Sequence, residues 1–266
     1  AESAGSSPIV GAVFTPNLMS LYNLDANFEK QYDAATGDVL YNFENPIFDK
    51  MNGVALAYMD QYQSTTYRAL ISPWVEIKPI ENLTWRTNLG ADYVNMDETQ
   101  WYNRKYGNAA GNIAGRLYKY AIWNLTTTLT STLSYDYKFK ENHNLNFLAG
   151  FEAMNYKYNR TYAQGTNFPV FDLIELNLAG TPAAVGSLTW KENLISYIGR
   201  INYDYASKYY LSLSTRRDGS SRFGTNNKYG TFWSIGGSWR ASEESFMDGT
   251  KGWLDDLKIR ASYGTN

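Results

Sequence analysis

The stretch IWNLTTTLTSTLSYDYKF, residues 122–139, alternates between two kinds of side chain along its whole length. Most odd-numbered positions are apolar or aromatic, and most even-numbered positions are Asn, Thr, Ser, Asp or Lys. A period of two is typical of a β-strand with one apolar face and does not fit a helix. The strand has roughly 15 residues or more, whereas about 5 or 6 is usual. Its length therefore indicates a strand that crosses a membrane.

The same alternation recurs elsewhere in the chain. It is clear in residues 195–204, 209–216, 233–240 and 257–263, and weaker in residues 67–78, 83–93 and 144–158. Together with residues 122–139, these stretches predict about eight strands, all after residue 65.

The connections between these strands alternate in length. Short turns are predicted near residues 79–82, 140–143 and 206–208, and long Gly- and Asn-rich loops near residues 97–118, 161–192 and 218–229. Short periplasmic turns and long extracellular loops are typical of outer-membrane barrels, although residues 243–253 form a longer connection than this scheme favours. We therefore predict an all-β fold in which residues 66–266 form part of an antiparallel transmembrane β-barrel. Residues 1–65 show turn-forming residues without a strong period, and we predict a long extracellular loop region there.

Composition excludes several function classes. The chain has 266 residues, with 24 Lys and Arg against 26 Asp and Glu, so no basic surface for nucleic acid is indicated. It has no cysteine and a single histidine, which removes thiolate and multi-histidine metal sites. His143 lies in a polar turn and is predicted to be a solvated turn residue rather than a ligand. No catalytic motif is found, so we expect no enzyme activity, no metal and no cofactor.

Two other folds remain open from the alternation alone. A secreted, soluble β-sandwich of the carbohydrate-binding kind is also aromatic-rich, but it would have short strands and a buried apolar face. A complete eight-stranded outer-membrane barrel would have a side-chain-filled interior and would pair its first and last strands.

A specific family resemblance covers essentially residues 8–266 and is strongest after residue 194. The motifs RRDGSSRFG (residues 216–224), GTFWSIGGSWR (residues 230–240) and LKIRASYG (residues 257–264) closely resemble the barrel of SusC/RagA-type TonB-dependent outer-membrane transporters of Bacteroidota. Members of that family carry an amino-terminal extension, a TonB box and a plug domain before a 22-stranded barrel. None of these is recognisable here, so the resemblance implies an internal barrel fragment with about eight of the 22 strands.

The resemblance also implies a function and partners. The whole protein would sit in the bacterial outer membrane in contact with lipid, and would import oligosaccharide or peptide with a SusD-like surface lipoprotein. TonB–ExbB–ExbD would supply energy through parts of the protein absent from this chain. A dimer of transporter–lipoprotein pairs is compatible with the family, and no nucleic acid is expected.

Loop aromatics and arginines at the barrel mouth are the candidate binding residues. Aromatic rings could stack on sugar rings or apolar side chains of a substrate, or could pack loop against loop or against a partner. For the arginines we favour a structural role, in which Arg216, Arg217, Asp218 and Arg222 form one ion-pair network. The candidate substrate-binding residues are Trp101, Tyr102, Tyr106, Phe168, Phe171, Arg216, Arg222, Phe223 and Tyr229.

Overall fold

The computed structural model describes residues 19–35, 37–44, 52–169, 173–224 and 227–265. In these residues nine strands form one sheet, in the order β1-β3-β4-β5-β6-β7-β8-β9, with β2 also paired to β3. The strands are β1 (Gln61–Ile71), β2 (Trp74–Ile80), β3 (Leu83–Tyr102), β4 (Arg116–Phe139), β5 (His143–Thr166), β6 (Thr181–Tyr205), β7 (Tyr209–Ser220), β8 (Tyr229–Arg240) and β9 (Lys258–Gly264). Within the described ranges, one α-helix, α1 (Gly53–Met59), precedes β1. Among the described residues, no helix has the length and apolar character needed to cross a membrane.

The predicted strands are present, except that one of them is divided into two and the first begins earlier in the chain than predicted. The single strand predicted over residues 67–78 is two strands, because Pro73 lies between β1 and β2 and has no N–H to donate to a neighbouring strand. The first strand begins at Gln61 and not after residue 65, and α1 lies within the region predicted to be a loop. The division of the chain at residue 65 stays a prediction.

Strands β3 to β6 have 20 to 25 residues each, longer than the alternation predicts. The long connections are correspondingly shorter than predicted, at residues 103–115, 167–180 and 221–228. The first half of β6 lies where the sequence predicts a loop. The three short turns fall where they are predicted, at residues 81–82, 140–142 and 206–208.

The described residues fall into two compact units. The first contains residues 19–67, 95–123 and 159–188. Two small clusters of buried hydrophobic side chains stabilise it. One cluster joins Phe43 to Ala55 and Leu56 of α1, and the other joins Trp101, Leu117 and Phe168.

The second unit contains residues 68–94, 124–158 and 189–265, and its strands have two unlike faces. Leu213 of β7 lies between Ile201 of β6 and Ile235 of β8 in the register, so apolar residues share one face. We call this the apolar face, and 37–71% of each of its large side chains is exposed: Ile195, Tyr197, Ile201, Leu211, Leu213, Trp233, Ile235, Ile259 and Tyr263. Even-numbered residues of the same strands form the polar face, which includes Ser196, Asn202, Ser212, Ser214, Arg216 and Ser234.

The exposed apolar face decides between the alternatives. Among the described residues, the buried hydrophobic side chains belong to the first unit, with Ala241 as the exception. A soluble β-sandwich would cover the apolar face with a second sheet, whereas all nine described strands belong to one sheet. A complete eight-stranded barrel would pair its first and last strands, but the described order ends with β1 and β9 at opposite ends. The amphipathic strands instead match a membrane barrel wall.

Candidate functional site

Arg216 is the centre of a hydrogen-bonded cluster on the polar face. Its Nε donates to the carboxylate of Asp218 at 2.7 and 2.9 Å, and its second guanidinium arm donates to Glu152 and Ser196 at 3.3 and 3.0 Å. Three strands therefore hold one guanidinium group. Charge-assisted bonds of this kind fix the side chain more firmly than neutral bonds do.

The other predicted arginine, Arg222, belongs to a separate arrangement. Its Nε lies 2.9 Å from Glu192, and its guanidinium carbon lies 5.0 Å from the ring centroid of Trp190. Arg217 instead lies over the ring of Tyr229, at 5.0 Å. The single network predicted for Arg216, Arg217, Asp218 and Arg222 is therefore wrong. Arg216 and Arg217 are adjacent on β7 and point to opposite faces, and Arg222 pairs with a carboxylate that Arg216 does not contact. The cluster of Arg216 with Asp218 is the part that the structure contains.

A chain of side-chain hydrogen bonds extends the polar face from β4 to β7. Asn146 donates to Asp136 at 2.8 Å and to Ser134 at 3.1 Å. Asn202 donates to Asn146 at 3.4 Å, and Ser212 donates to Asn202 at 2.8 Å. The face is thus a continuous polar surface, able to line a water-filled path.

Trp101 and Phe168, two of the predicted ligand contacts, are buried. The rings meet edge to face with centroids 4.9 Å apart, and only 3% of Trp101 and none of Phe168 is exposed. Neither ring has a free face for a ligand, so their prediction as substrate contacts is corrected. They pack a loop residue against a strand residue, whereas the packing expected from the sequence was between loops or against a partner.

The remaining predicted aromatics divide between packed and exposed positions. Tyr106 stacks on Phe43 with centroids 3.7 Å apart, so it also serves packing. Phe223 and Tyr229 are more than half exposed, at 61% and 54%, and keep surface for a partner. Phe171 lies outside the described residues. Tyr102 is buried within a row of tyrosines that the sequence reasoning missed.

This tyrosine row comprises side chains from β1, β3, β4 and β5 in the first unit: Tyr62, Tyr102, Tyr118, Tyr120 and Tyr162. Adjacent centroids lie 5.5 to 6.1 Å apart along the row. The sequence did contain a signal for this row. Tyr118 and Tyr120 are two residues apart, so they lie on the same face of β4 as its other even-numbered residues. It was missed because these positions were assigned to loops.

His143 begins β5 and is half-buried, so its prediction as a solvated turn residue is corrected. Its Nδ1 lies 2.7 Å from the hydroxyl of Tyr203, and its ring stacks on Phe139 at 4.4 Å. The histidine therefore joins two neighbouring turns through ring contacts.

Glu244 lies in the turn between β8 and β9 and accepts three hydrogen bonds. The donors are the hydroxyl of Tyr209 at 2.6 Å, the indole N–H of Trp239 at 3.1 Å and the ammonium of Lys208 at 3.2 Å. These bonds, that from Tyr209 first, lower the pKa of Glu244 below its ordinary value of 4.5. The neighbouring Glu243 is exposed, unlike Glu244.

We expect acid to loosen this turn through Glu244. A lowered pKa means that the carboxylate stabilises the folded turn above its ordinary pKa, and that the effect is lost as the pH falls through the lower, folded-state pKa. Protease resistance of residues 241–257 in the wild type should therefore decrease as the pH is lowered. In Glu244→Gln it should be low and nearly independent of pH. Glu243→Gln is the matched control and should follow the wild type. An identical pH profile in Glu244→Gln and the wild type would contradict the role of Glu244.

The chain is similar to TonB-dependent receptors along most of its length. It is 31% identical to TonB-dependent receptor P39 of Formosa agariphila over 225 residues, which are 81% of this chain and 21% of that receptor. A 74-residue segment, 28% of the chain, is 40% identical to TonB-dependent receptor SusC of Bacteroides thetaiotaomicron and covers 7% of it. No family model matches the sequence.

A solved structure, that of the RagAB peptide transporter, shares the fold. It superimposes with a TM-score of 0.76 and 26% identity over 86% of this chain and 26% of that one. The chain thus spans about a fifth to a quarter of the length of these long matches. The relatives and the amphipathic antiparallel sheet agree, and the chain belongs to the SusC/RagA-type TonB-dependent transporters of the bacterial outer membrane.

Proposed function

We propose that the chain forms part of the barrel wall of an importer that takes up oligosaccharides or peptides. A SusD-like surface lipoprotein would hold the substrate at the extracellular side, and TonB–ExbB–ExbD would supply the energy. Membership of the family supports this function, and the solved relative RagAB is a peptide transporter. The observation that carries it in this chain is the pair of unlike faces on β6 to β9.

Each face has a separate role in this proposal. The exposed side chains of the apolar face would contact lipid, as in the outward-facing band of an outer-membrane barrel. The polar face, with the Arg216 cluster and the Asn146 bonds, would line the path of the substrate. Residues 1–65 would lie at the extracellular side, as predicted from their turn-forming composition.

Uptake by cells that express the whole transporter and its lipoprotein tests this function. We expect uptake of an oligosaccharide or a peptide that is lost when TonB is deleted. The chain lacks cysteine, so single cysteines can report which face borders the path. Ser214→Cys on the polar face should react with a charged maleimide in outer-membrane vesicles at least about tenfold faster than Leu213→Cys, because the reactive thiolate needs water.

Leu213→Cys is the matched control, since it is the neighbouring residue on the same strand. Blocking position 214 should also reduce uptake, whereas treatment of the Leu213→Cys transporter should not. Equal labelling of both positions would contradict the assignment of the faces. Uptake that persists without TonB would contradict the proposed transport function.

A further inference from the structure

The tyrosine row has the geometry of a stacking surface. From Tyr102 to Tyr118 the rings meet edge to face with centroids 6.1 Å apart, and from Tyr120 to Tyr162 they lie nearly parallel at 5.9 Å. Tyr118, Tyr120 and Tyr162 are half-buried, and half of Tyr62 is exposed. The row therefore combines aromatic area with hydroxyl groups on one face of the sheet.

Gly186 of β6 fixes the far end of this row. A Cβ atom at position 186 would come within 2.5 Å of the Tyr162 ring, so the ring lies directly on the glycine backbone. Any larger residue would move Tyr162 away from Tyr120. The position of the last ring is thus set by the neighbouring strand.

Arg160 completes the surface with a positive charge. Its guanidinium carbon lies 5.9 Å from the ring centroid of Tyr120 and 5.5 Å from that of Tyr162. Among the described residues it has no ion pair with a carboxylate, and its buried Nε has no hydrogen-bond partner. Arg216, by contrast, is paired with two carboxylates. Arg160 therefore lies over two rings of the row without a paired carboxylate among the described residues.

We propose that the tyrosine row and Arg160 bind an oligosaccharide, an inference that rests on the proposed import function. Apolar faces of sugar rings stack on the tyrosines of the row that are not buried, and the hydroxyls of these tyrosines and Arg160 bond to sugar oxygens. The oxygens belong to hydroxyl groups of a neutral sugar or to carboxylate or sulfate groups of an acidic one, and both kinds present the same acceptor chemistry to Arg160.

A peptide fits this surface less well. Extended peptides bind sheets by adding a strand at a free edge, where backbone groups are unpaired. The row lies on the face of β3, β4 and β5, and these strands are hydrogen-bonded to their neighbours on both sides. A peptide lying across this face would leave its own backbone groups without partners from the strands, whereas a sugar needs only ring faces and side-chain donors.

The test uses the whole transporter, purified in detergent and applied to an array of neutral and acidic oligosaccharides and a tryptic digest of casein. We expect binding to at least one class of oligosaccharide, and a decrease in affinity of about tenfold or more in Tyr120→Ala and Tyr162→Ala. Arg160→Gln should weaken acidic ligands more than neutral ones if the acceptor is anionic, and both alike if it is a hydroxyl. Tyr137→Ala, on the same strand in the second unit, is the matched control and should bind as the wild type does.

All variants are first checked for heat-modifiable migration on gels, which reports a folded barrel. Tyr120→Phe and Gly186→Val serve as two further variants. Tyr120→Phe should keep most of the binding because the ring remains, and Gly186→Val should lose it because Tyr162 is displaced. Binding to peptides alone, or unchanged oligosaccharide binding in the alanine variants, would overturn the inference. If the oligosaccharide assignment fails in this way but uptake still depends on TonB, the proposed import function stands. If uptake by the wild type does not depend on TonB, the import function itself is refuted.

Discussion

Phe168→Ala is expected to lower the stability of the packed strand ends in the first unit by about 3–5 kcal/mol, which is the usual range for removing a buried phenylalanine ring. Phe168 has no exposed surface and meets Trp101 edge to face at 4.9 Å. The loss has two parts, since apolar contacts disappear and the neighbouring side chains cannot close the resulting cavity completely.

The backbone next to Phe168 makes the effect measurable. Its N–H donates to the carbonyl of Ala114 at 2.9 Å, and the N–H of Asn167 donates to that of Ile113 at 2.8 Å. These bonds connect the loop after β5 to the loop before β4. Hydrogen exchange of the two loops in the whole transporter should therefore accelerate in Phe168→Ala, while exchange in β7 and β8 stays unchanged.

Phe223→Ala provides the matched control, because it removes the same ring from a site that is 61% exposed. We expect its stability to change by no more than about 0.5 kcal/mol. Equal exchange in the two variants would show that the ring of Phe168 does not stabilise the loops.

The strands could be predicted where their two faces differ in polarity along the whole length, and were missed where they do not. Residues 122–139 must present one apolar and one polar face, so their period is visible. In the first half of β6, residues 181–194, apolar Leu188 and Trp190 stand at even-numbered positions, whereas from Ile195 onward the apolar residues are odd-numbered, so the strand has no single period along its length. There the strand depends on hydrogen bonds to a neighbouring strand, which local sequence does not reveal.

The candidate site was only partly predictable for a related reason. Arg216 and Asp218 are two residues apart, and the sequence places them on one face of a strand. The contacts of Arg216 with Glu152, Arg222 with Glu192, and Trp101 with Phe168 join residues far apart in the chain. Such pairs depend on strand register, which a single sequence does not fix. The tyrosine row needs four strands in register and was missed for the same reason.

Asn52→Ala is expected to release the segment before α1 from the first unit, with a loss of about 3 kcal/mol. Asn52 is fully buried, and its amide nitrogen donates to the carbonyl oxygens of Leu21 and Asn42, both at 2.8 Å. Its side-chain oxygen accepts the N–H of Ala55 at 3.1 Å and so caps α1. Losing the cap costs about 1 kcal/mol. The carbonyl of Asn42 loses this donor, at a cost of about 1–3 kcal/mol less whatever water restores, whereas the carbonyl of Leu21 still accepts the N–H of Asn42 at 3.1 Å.

Two substitutions separate the helix cap from the bridge to the preceding segment. Asn52→Ser keeps an oxygen that can cap α1 but removes both amide donors, so we expect a loss smaller than that of Asn52→Ala. Asn27→Ala, at an exposed position in the same segment, should change stability by no more than about 0.5 kcal/mol.

Limited proteolysis of residues 19–60 in the whole transporter measures all three. Because the two donated bonds connect α1 to residues 31 and 10 positions earlier, cleavage should increase on the earlier segment as well as in α1. Cleavage confined to α1 would show that Asn52 acts only as a helix cap.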